Sequence, residues 1–303
     1  MKALLIYNPV SGNKTFKNNL DYVVAEFQKK GFLLTPYRIM NIESLERMIS
    51  GLSKSEYNRI LIAGGDGTIH QVVNSLIRNN IDVPLGIFPV GTANDYAQYF
   101  SLPKTIEEMT KNALSEDYIY SDVGSVNNRY FINVASLGVL IDVSQKTDTR
   151  VKNSLGVLAY YIKGLEELPN MKSFRITIKS DQVNFSGEIF FMLIMNGKSA
   201  GGFKKIAPLS SINDGLLDVY IFKKCPLYEL MPLLIKVFNG EHLHSTYVSY
   251  FQTEKLSVFS ENNVGTDLDG EEGPSFPLHI QNLKNKLSII TNNPTHMNNL
   301  NDK

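Results

Sequence analysis

The sequence predicts an α/β domain followed by an all-β domain, and two observations carry that expectation. Over roughly the first 120 residues, short apolar runs alternate with amphipathic ones, the rhythm of βαβ units around a parallel sheet. After Asp122 the apolar runs are instead separated by turn dipeptides such as Asn127-Asn128, which indicates antiparallel strands with two inserted helices. A chain of 303 residues suggests two domains, or one large one, and buries a sizeable core. The expected domains are 1–122 and 123–287.

Residues 3–7 read as the first strand, ended by the turn-rich loop Asn8-Pro9-Val10-Ser11-Gly12. A helix follows at 20–30, with Gly31 as its stop, then a strand at 32–39, a helix at 42–52 and a strand at 59–63. Ile69, Val72, Val73 and Leu76 are spaced i, i+3, i+4, i+7 and predict a helical face. Residues 83–88 read as strand and about 93–100 as helix. In the second half, strands are expected at 124–126, 130–134, 174–179, 185–196, 216–222 and 247–259, with helices at 154–168 and 227–239. The Asn-rich tail from Asn292 has a weak pattern and is expected to fray or pack loosely. No internal repeat is visible.

Composition narrows the class. Hydrophobic residues at 43% and charged ones at 20% describe an ordinary globular chain. Lys plus Arg equals Asp plus Glu, at 30 each, so nothing global attracts nucleic acid, and no nucleic-acid partner is expected. The lone Cys225 cannot pair internally, which fits a reducing cytoplasm. No signal peptide is expected at the start, and the longest apolar run, 189–195, is too short to span a bilayer. The expectation is a soluble, cytoplasmic protein.

The chemistry-bearing loops come next. Strand 59–63 runs into Gly64-Gly65-Asp66-Gly67-Thr68, and a periodic helix follows. Glycines let backbone approach an anion, and the free N–H groups of the next helix point at it. Thr68 is expected as an N-cap or a phosphate ligand. A dinucleotide G-x-G-x-x-G is excluded because His70 stands at the third glycine. A P-loop around Gly197-Lys198-Ser199 is excluded because Met192 stands where its first glycine belongs. The bland alternative is a tight turn with no ligand. A second loop, Phe88-Pro89-Val90-Gly91-Thr92-Ala93-Asn94-Asp95, also joins a strand to a helix. With the loop at Asn8 this places three polar, glycine-bearing loops at the carboxyl edge of a parallel sheet, where ligands bind in such folds. A nucleotide site is expected there.

Near the end, Thr266-Asp267-Leu268-Asp269-Gly270-Glu271-Glu272-Gly273 gathers four carboxylates in one turn. Phosphoryl transfer needs a carboxylate to orient or deprotonate the attacking hydroxyl, and oxygen donors for magnesium. A solvated acidic hairpin is the alternative.

These residues resemble the bacterial diacylglycerol kinase and related lipid kinases. The likeness runs in order through Gly64-Gly65-Asp66-Gly67-Thr68 with Val72-Val73-Asn74, then Pro89-Val90-Gly91-Thr92-Ala93-Asn94-Asp95-Tyr96-Ala97. It continues through Asn133-Val134-Ala135-Ser136-Leu137-Gly138, Gly156 with Tyr160-Tyr161, Asp214-Gly215-Leu216-Leu217-Asp218 and Asp269-Gly270-Glu271. The resemblance implies an N-terminal nucleotide-binding domain and a C-terminal antiparallel β-sandwich, with ATP in the cleft between them. It also implies that 288–303 return to the first domain. It implies that Asn8, Ser11, Gly64, Gly65, Gly67, Thr68, Gly91, Thr92 and Asn94 line the nucleotide. Asp66 would organise Mg2+, Asp269 would be the general base and Glu271 its partner at the metal. A structural Mg2+ would match the Asp214 carboxylate with carbonyls near Ser211 and Leu216. The implied reaction moves the γ-phosphate of ATP to a lipid hydroxyl, with diacylglycerol leading and sphingoid bases, monoacylglycerol, ceramide and polyprenols open. A homodimer is left open, and the lipid would be met at the inner membrane surface.

The chain departs from the family at His70-Gln71, where Asn-Glu is common, at Ser75, where Gly is common, and at Gln98, where Arg is common. By the resemblance, Gln71 removes a charge close to the phosphates. The same departure disfavours an NAD kinase, the first rival. A non-catalytic lipid-binding homologue is the second. Other features are set aside. His242-x-His244 would share one face of a strand but lacks a third ligand, and Cys225 reads as structural. The stripe Leu227, Leu230, Met231, Leu234 and Val237 reads first as core, with lipid contact as the alternative. Lys204-Lys205 and Lys223-Lys224 read as solvated surface, with anionic headgroups as the alternative.

Overall fold

A computed structural model describes residues 1–138, 172–201, 203–262 and 264–292. The chain divides into two compact units, Met1–Ser121 with Asn285–Lys303, and Asp122–Lys284.

In the first unit β1 (Lys2–Tyr7), β2 (Leu33–Arg38), β3 (Arg59–Gly64) and β4 (Leu85–Pro89) pair in parallel, in the order β4-β3-β1-β2. All six residues of β3 are buried, which explains its unbroken apolar run: a central strand is covered on both faces. The connections are α1 (Leu20–Lys29), α2 (Ile42–Ser50), α3 (Asp66–Arg78), α4 (Asp95–Tyr99) and α5 (Ile106–Ala113). One core joins Val23 and Phe27 of α1 and Met109 and Ala113 of α5 to Ala3, Leu5, Leu61 and Phe88 of the sheet. The alternate residues Leu4, Ile6, Ile60 and Ile62 point to the opposite face and are equally buried. Local chemistry sets the helix ends. Asn41 and Ser44 form a reciprocal capping box on α2. Gly31 takes φ +76° just past α1, the left-handed stop that favours glycine. Helix α5, missing from the sequence expectation, begins where Thr105 Oγ1 accepts the Glu108 N–H.

In the second unit the strands are antiparallel. They are β6 (Arg129–Phe131), β7 (Val134–Gly138), β8 (Phe174–Ser180), β9 (Asn184–Met195), β10 (Leu217–Lys223), β11 (Val248–Thr253), β12 (Lys255–Phe259), β13 (Thr266–Leu268) and β14 (Glu271–Glu272). Two further strands, β5 (Tyr118–Val126) and β15 (Leu278–Ile290), carry residues of both units. Met192 and Ile194 of β9 enter one core, with Val219 and Ile221 of β10, Val258 and Ile280. Leu193 and Met195 enter another, with Tyr220, Phe222 and Leu230, Leu233 and Val237 of α6 (Leu227–Asn239). Burial on both faces is why 189–195 reads as continuously apolar. The expected architecture, α/β followed by antiparallel all-β, is borne out.

Several expectations are corrected. Residues 247–259 form two strands, because the chain changes partner at Glu254: β11 pairs with β10, whereas β12 pairs with β8 and β15. Residues 130–134 are broken between β6 and β7, for a reason given below. The strand expected at 124–126 is the end of the longer β5, and β13, β14 and β15 were not anticipated. His242 and His244 lie on a 3-10 turn, His242 buried and His244 exposed, so they do not share a strand face. The apolar stripe on α6 divides: Leu230 and Val237 are core, while Leu227 and Met231 are exposed. The helix expected at 154–168 and the tail from 293 lie outside the described residues.

Candidate active site

Sheet order makes the crevice. The chain leaves β1 toward β2 and leaves β3 toward β4, in opposite directions, so the carboxyl ends of β1 and β3 flank a topological switch point. The three glycine-bearing loops meet there. Asn8 Nδ2 donates to Thr68 Oγ1 at 3.1 Å, and Asn8 Oδ1 accepts the Val10 N–H at 3.1 Å. A Cβ on Gly12, at φ +48°, would sit 2.1 Å from the Val90 carbonyl oxygen. A Cβ on Gly91 would sit 2.3 Å from the Gly65 Cα. The loops touch through backbone, and only glycine fits at these contacts.

Helix α3 starts at Asp66 with Gly65 at its N-cap, so Thr68 is not the cap. Thr68 is buried in the first turn, folded over Gly64, whose missing side chain makes room for it. Gly67 is exposed on that turn, where helix N–H groups have no carbonyl four residues back. Asn94 braces the third loop from φ +53°. Its Oδ1 accepts the Gly91 N–H at 2.9 Å, and its Nδ2 donates to the carbonyls of Pro89 at 3.2 Å and Gly91 at 2.9 Å. Asp66 ties the second loop to the third. Its Oδ2 accepts the Asp95 N–H at 3.1 Å and its Oδ1 the Tyr96 N–H at 3.0 Å, capping the first turn of α4. Ser11 is half-buried and Thr92 exposed on the first and third loops.

In the second unit, Asp269 and Gly270, at φ +54° and +94°, make the two-residue turn of the β13–β14 hairpin. The Asp269 carboxylate does more than turn the chain. Its Oδ2 accepts the Ile132 N–H at 2.7 Å, and its Oδ1 accepts those of Asn133 and Val134, each at 2.9 Å. This is why β6 and β7 are separate: three consecutive N–H groups leave the ladder to meet one carboxylate. Asp267 Oδ1 accepts the Gly270 N–H at 2.8 Å. Glu271 lies one residue beyond the turn and is exposed.

Asp214 and Leu216 come together in a turn where Asp214 Oδ1 accepts the Leu216 N–H at 2.8 Å. Gly215 donates its N–H to Asp122 Oδ2 at 2.7 Å. Burial, followed by the Asp218 and Asp122 charges, pushes the Asp214 carboxyl up to about 6. Asp218 is fully buried and likewise raised by burial; its Oδ1 accepts from Tyr250 Oη at 2.7 Å, while its Oδ2 has no hydrogen bond. Sequence reasoning assigned no role to Asp122 or Asp218, because nothing in their spacing shows that they converge on Asp214. Among the described residues, no group of three or more His, Cys, Asp or Glu is arranged to hold a metal ion, and no helix is long and apolar enough to cross a membrane.

Comparison with known proteins finds two families that match successive stretches of the chain. The diacylglycerol kinase catalytic domain family matches residues 2–126, and the YegS C-terminal NAD kinase beta sandwich-like domain family matches residues 133–291. The chain is 34% identical over 295 residues to a diacylglycerol kinase of Bacillus subtilis (strain 168), covering 95% of this chain and 96% of that one. It is 34% identical over 292 residues to a diacylglycerol kinase of Staphylococcus saprophyticus subsp. saprophyticus, covering 96% of each. A crystal structure of a candidate diacylglycerol kinase from Bacillus anthracis str. Sterne superimposes with a TM-score of 0.82 at 26% identity, covering 96% of this chain and 95% of that one. Likeness on this scale covers nearly the whole chain. The chain belongs to the diacylglycerol kinase family.

Proposed function

We propose that this lipid kinase transfers the γ-phosphate of ATP to the free hydroxyl of diacylglycerol, giving phosphatidic acid and ADP. The observation that carries the nucleotide half is the meeting of three glycine-bearing loops at the switch point, with backbone exposed on the first turn of α3. In this reading Asn8, Ser11, Gly64, Gly65, Gly67, Thr68, Gly91, Thr92 and Asn94 line the nucleotide. Asp66 holds the second and third loops in register around its phosphates. Asp269 orients the acceptor hydroxyl and receives its proton as the oxygen attacks Pγ and the bond to the bridging oxygen of ADP breaks. Glu271 adds a carboxylate beside it. The transition state is loose, so positioning and charge stabilisation carry most of the rate. A carboxylate fixed by three N–H groups suits positioning. The curated relatives, matched over nearly their whole length, favour this reading over an NAD kinase.

An all-oxygen donor set is the chemistry that Mg2+ takes. Asp214, with carbonyls at Ser211 and Leu216, would hold a structural ion, and Asp66 would help hold one at the phosphates. The buried excess of carboxylate around Asp214 is what a divalent cation relieves. The ion at the phosphates, when bound, neutralises charge on the nucleotide.

Radiolabelled ATP with diacylglycerol in mixed micelles, and product identified by mass, tests the activity. Asp269→Asn should lower turnover by ~100-fold or more. It also turns an amide NH2 toward backbone N–H groups and should cost ~1–3 kcal/mol of stability, so a thermal melt accompanies the assay. A folded variant with undiminished turnover would remove Asp269 from the chemistry.

A further inference from the structure

Helix α6 is apolar on both sides. Leu230, Leu233 and Val237 are buried in the second unit, and that accounts for one face. The other face carries Leu227 at 63% exposure, Tyr228 at 76%, Met231 at 46% and Ile235 at 55%, spaced i, i+1, i+4, i+8. The only acidic residue on the helix, Glu229, is half-buried. A solvent-facing helix ordinarily turns polar residues outward, so an apolar outer face marks a contact surface.

Cations border this face at both ends. Lys223 and Lys224 precede α6, and Lys236 lies in its last turn. Lys204 and Lys205 are exposed beside its C-terminal end. Phe203 packs against Phe238 at 5.5 Å, and a Cβ on Gly240 would lie 3.1 Å from that of Lys205. Against these five lysines stand Glu229, Glu241 and Glu188, the last already paired with Lys224 at 2.7 Å.

We propose that α6 docks on an anionic lipid bilayer, lying flat with Leu227, Met231 and Ile235 in the headgroup–acyl boundary and the lysines against anionic headgroups. An in-plane helix of this kind buries its apolar face ~5–10 Å deep. Tyr228 suits the boundary, with an apolar ring and a polar tip. Charge selects a bilayer over a second copy of the chain, because a two-fold contact through this face would bring like lysine borders together. The inference rests on the lipid-kinase reading for its purpose, since a substrate held in a membrane must be met there.

The test is co-sedimentation of the full chain with phosphatidylcholine vesicles, with and without phosphatidylglycerol, in the absence of ATP. The protein should bind the anionic vesicles, and salt should weaken binding. Met231→Glu with Ile235→Glu, and separately Lys204→Glu with Lys205→Glu, should each reduce binding ~10-fold or more. Phosphorylation of a dispersed short-chain diacylglycerol should stay within ~2-fold of the parent for both, which shows that each folds and keeps its site. Unaltered vesicle binding by both variants overturns the proposal. So does a parent dimer that the Met231/Ile235 variant converts to monomer while vesicle binding persists, since the face then belongs to a second copy. A chain that phosphorylates no diacylglycerol yet binds vesicles through α6 would sink the diacylglycerol reading and leave the docking intact.

Discussion

At the scale of single residues, the glycines of the crevice have separable duties. Gly91 is there because nothing larger fits: its Cβ would overlap the Gly65 Cα at 2.3 Å. Gly91→Ala must therefore push two loops apart, at ~1–3 kcal/mol, and should weaken nucleotide binding at least ~10-fold. Gly67 is different. A Cβ there meets nothing within 4 Å, and the residue sits in the first turn of α3. Gly67→Ala should leave the melting temperature unchanged or raise it, since Ala suits a helix better by ~1 kcal/mol. If phosphate approaches that turn closely, the same variant should still raise the KM for ATP. Melting curves and nucleotide titrations on both variants check the contrast. The glycine loops were legible in the sequence because strand, loop and helix follow one another along the chain. The bonds from Asp66 to Asp95 and Tyr96 were not, because they join residues 29 and 30 apart through a fold that local pattern cannot show.

At the scale of elements, long apolar stretches were read well and interrupted ones poorly. β15 was missed because its buried ends, Leu278 and Ile280 on one side and Leu287 to Ile290 on the other, flank a polar exposed middle that reads as loop. The break between β6 and β7 was missed because its cause, the Asp269 carboxylate, lies more than 130 residues away. The 3-10 turn carrying His242 shows the same limit, and it has a measurable consequence. His242 is fully buried between Tyr220 and Phe222, with ring centroids at 5.5 and 6.0 Å, and neither ring nitrogen has a hydrogen bond. Burial holds its pKa below the usual histidine value. The unfolded chain therefore takes up this proton first as pH falls. Stability should be full above ~6.5 and should decline below it. His242→Phe should flatten that decline, with chemical denaturation at several pH values as the readout. An unchanged pH profile would mean that the imidazole takes up its proton as readily in the folded chain as in the unfolded one.

At the scale of the whole molecule, each unit owns its core, and only β5 and β15 contribute residues to both. The end of β15 belongs to the first unit through specific bonds. Ile289 pairs with Leu85 of β4, and Thr291 donates its N–H to the Asp117 carbonyl at 3.1 Å. Asn112 of α5 holds this segment from both sides. Its Nδ2 donates to the Ile290 carbonyl at 3.1 Å and its Oδ1 accepts the Asn292 N–H at 2.9 Å. The side chain and its bond to Ile290 are buried, so its loss leaves the Ile290 carbonyl unpaired away from water, whereas the N–H of exposed Asn292 can turn to solvent. Asn112→Ala should therefore cost ~1–3 kcal/mol, most of it from the Ile290 carbonyl. The cost should fall where the bonds are: amide exchange should quicken at Ile289, Ile290 and β4, while β10 and β11, which rest on their own core, keep their protection. Uniform loss of protection across both units would instead mean that they unfold as one, with the return of β15 no more than one thread in a common fabric.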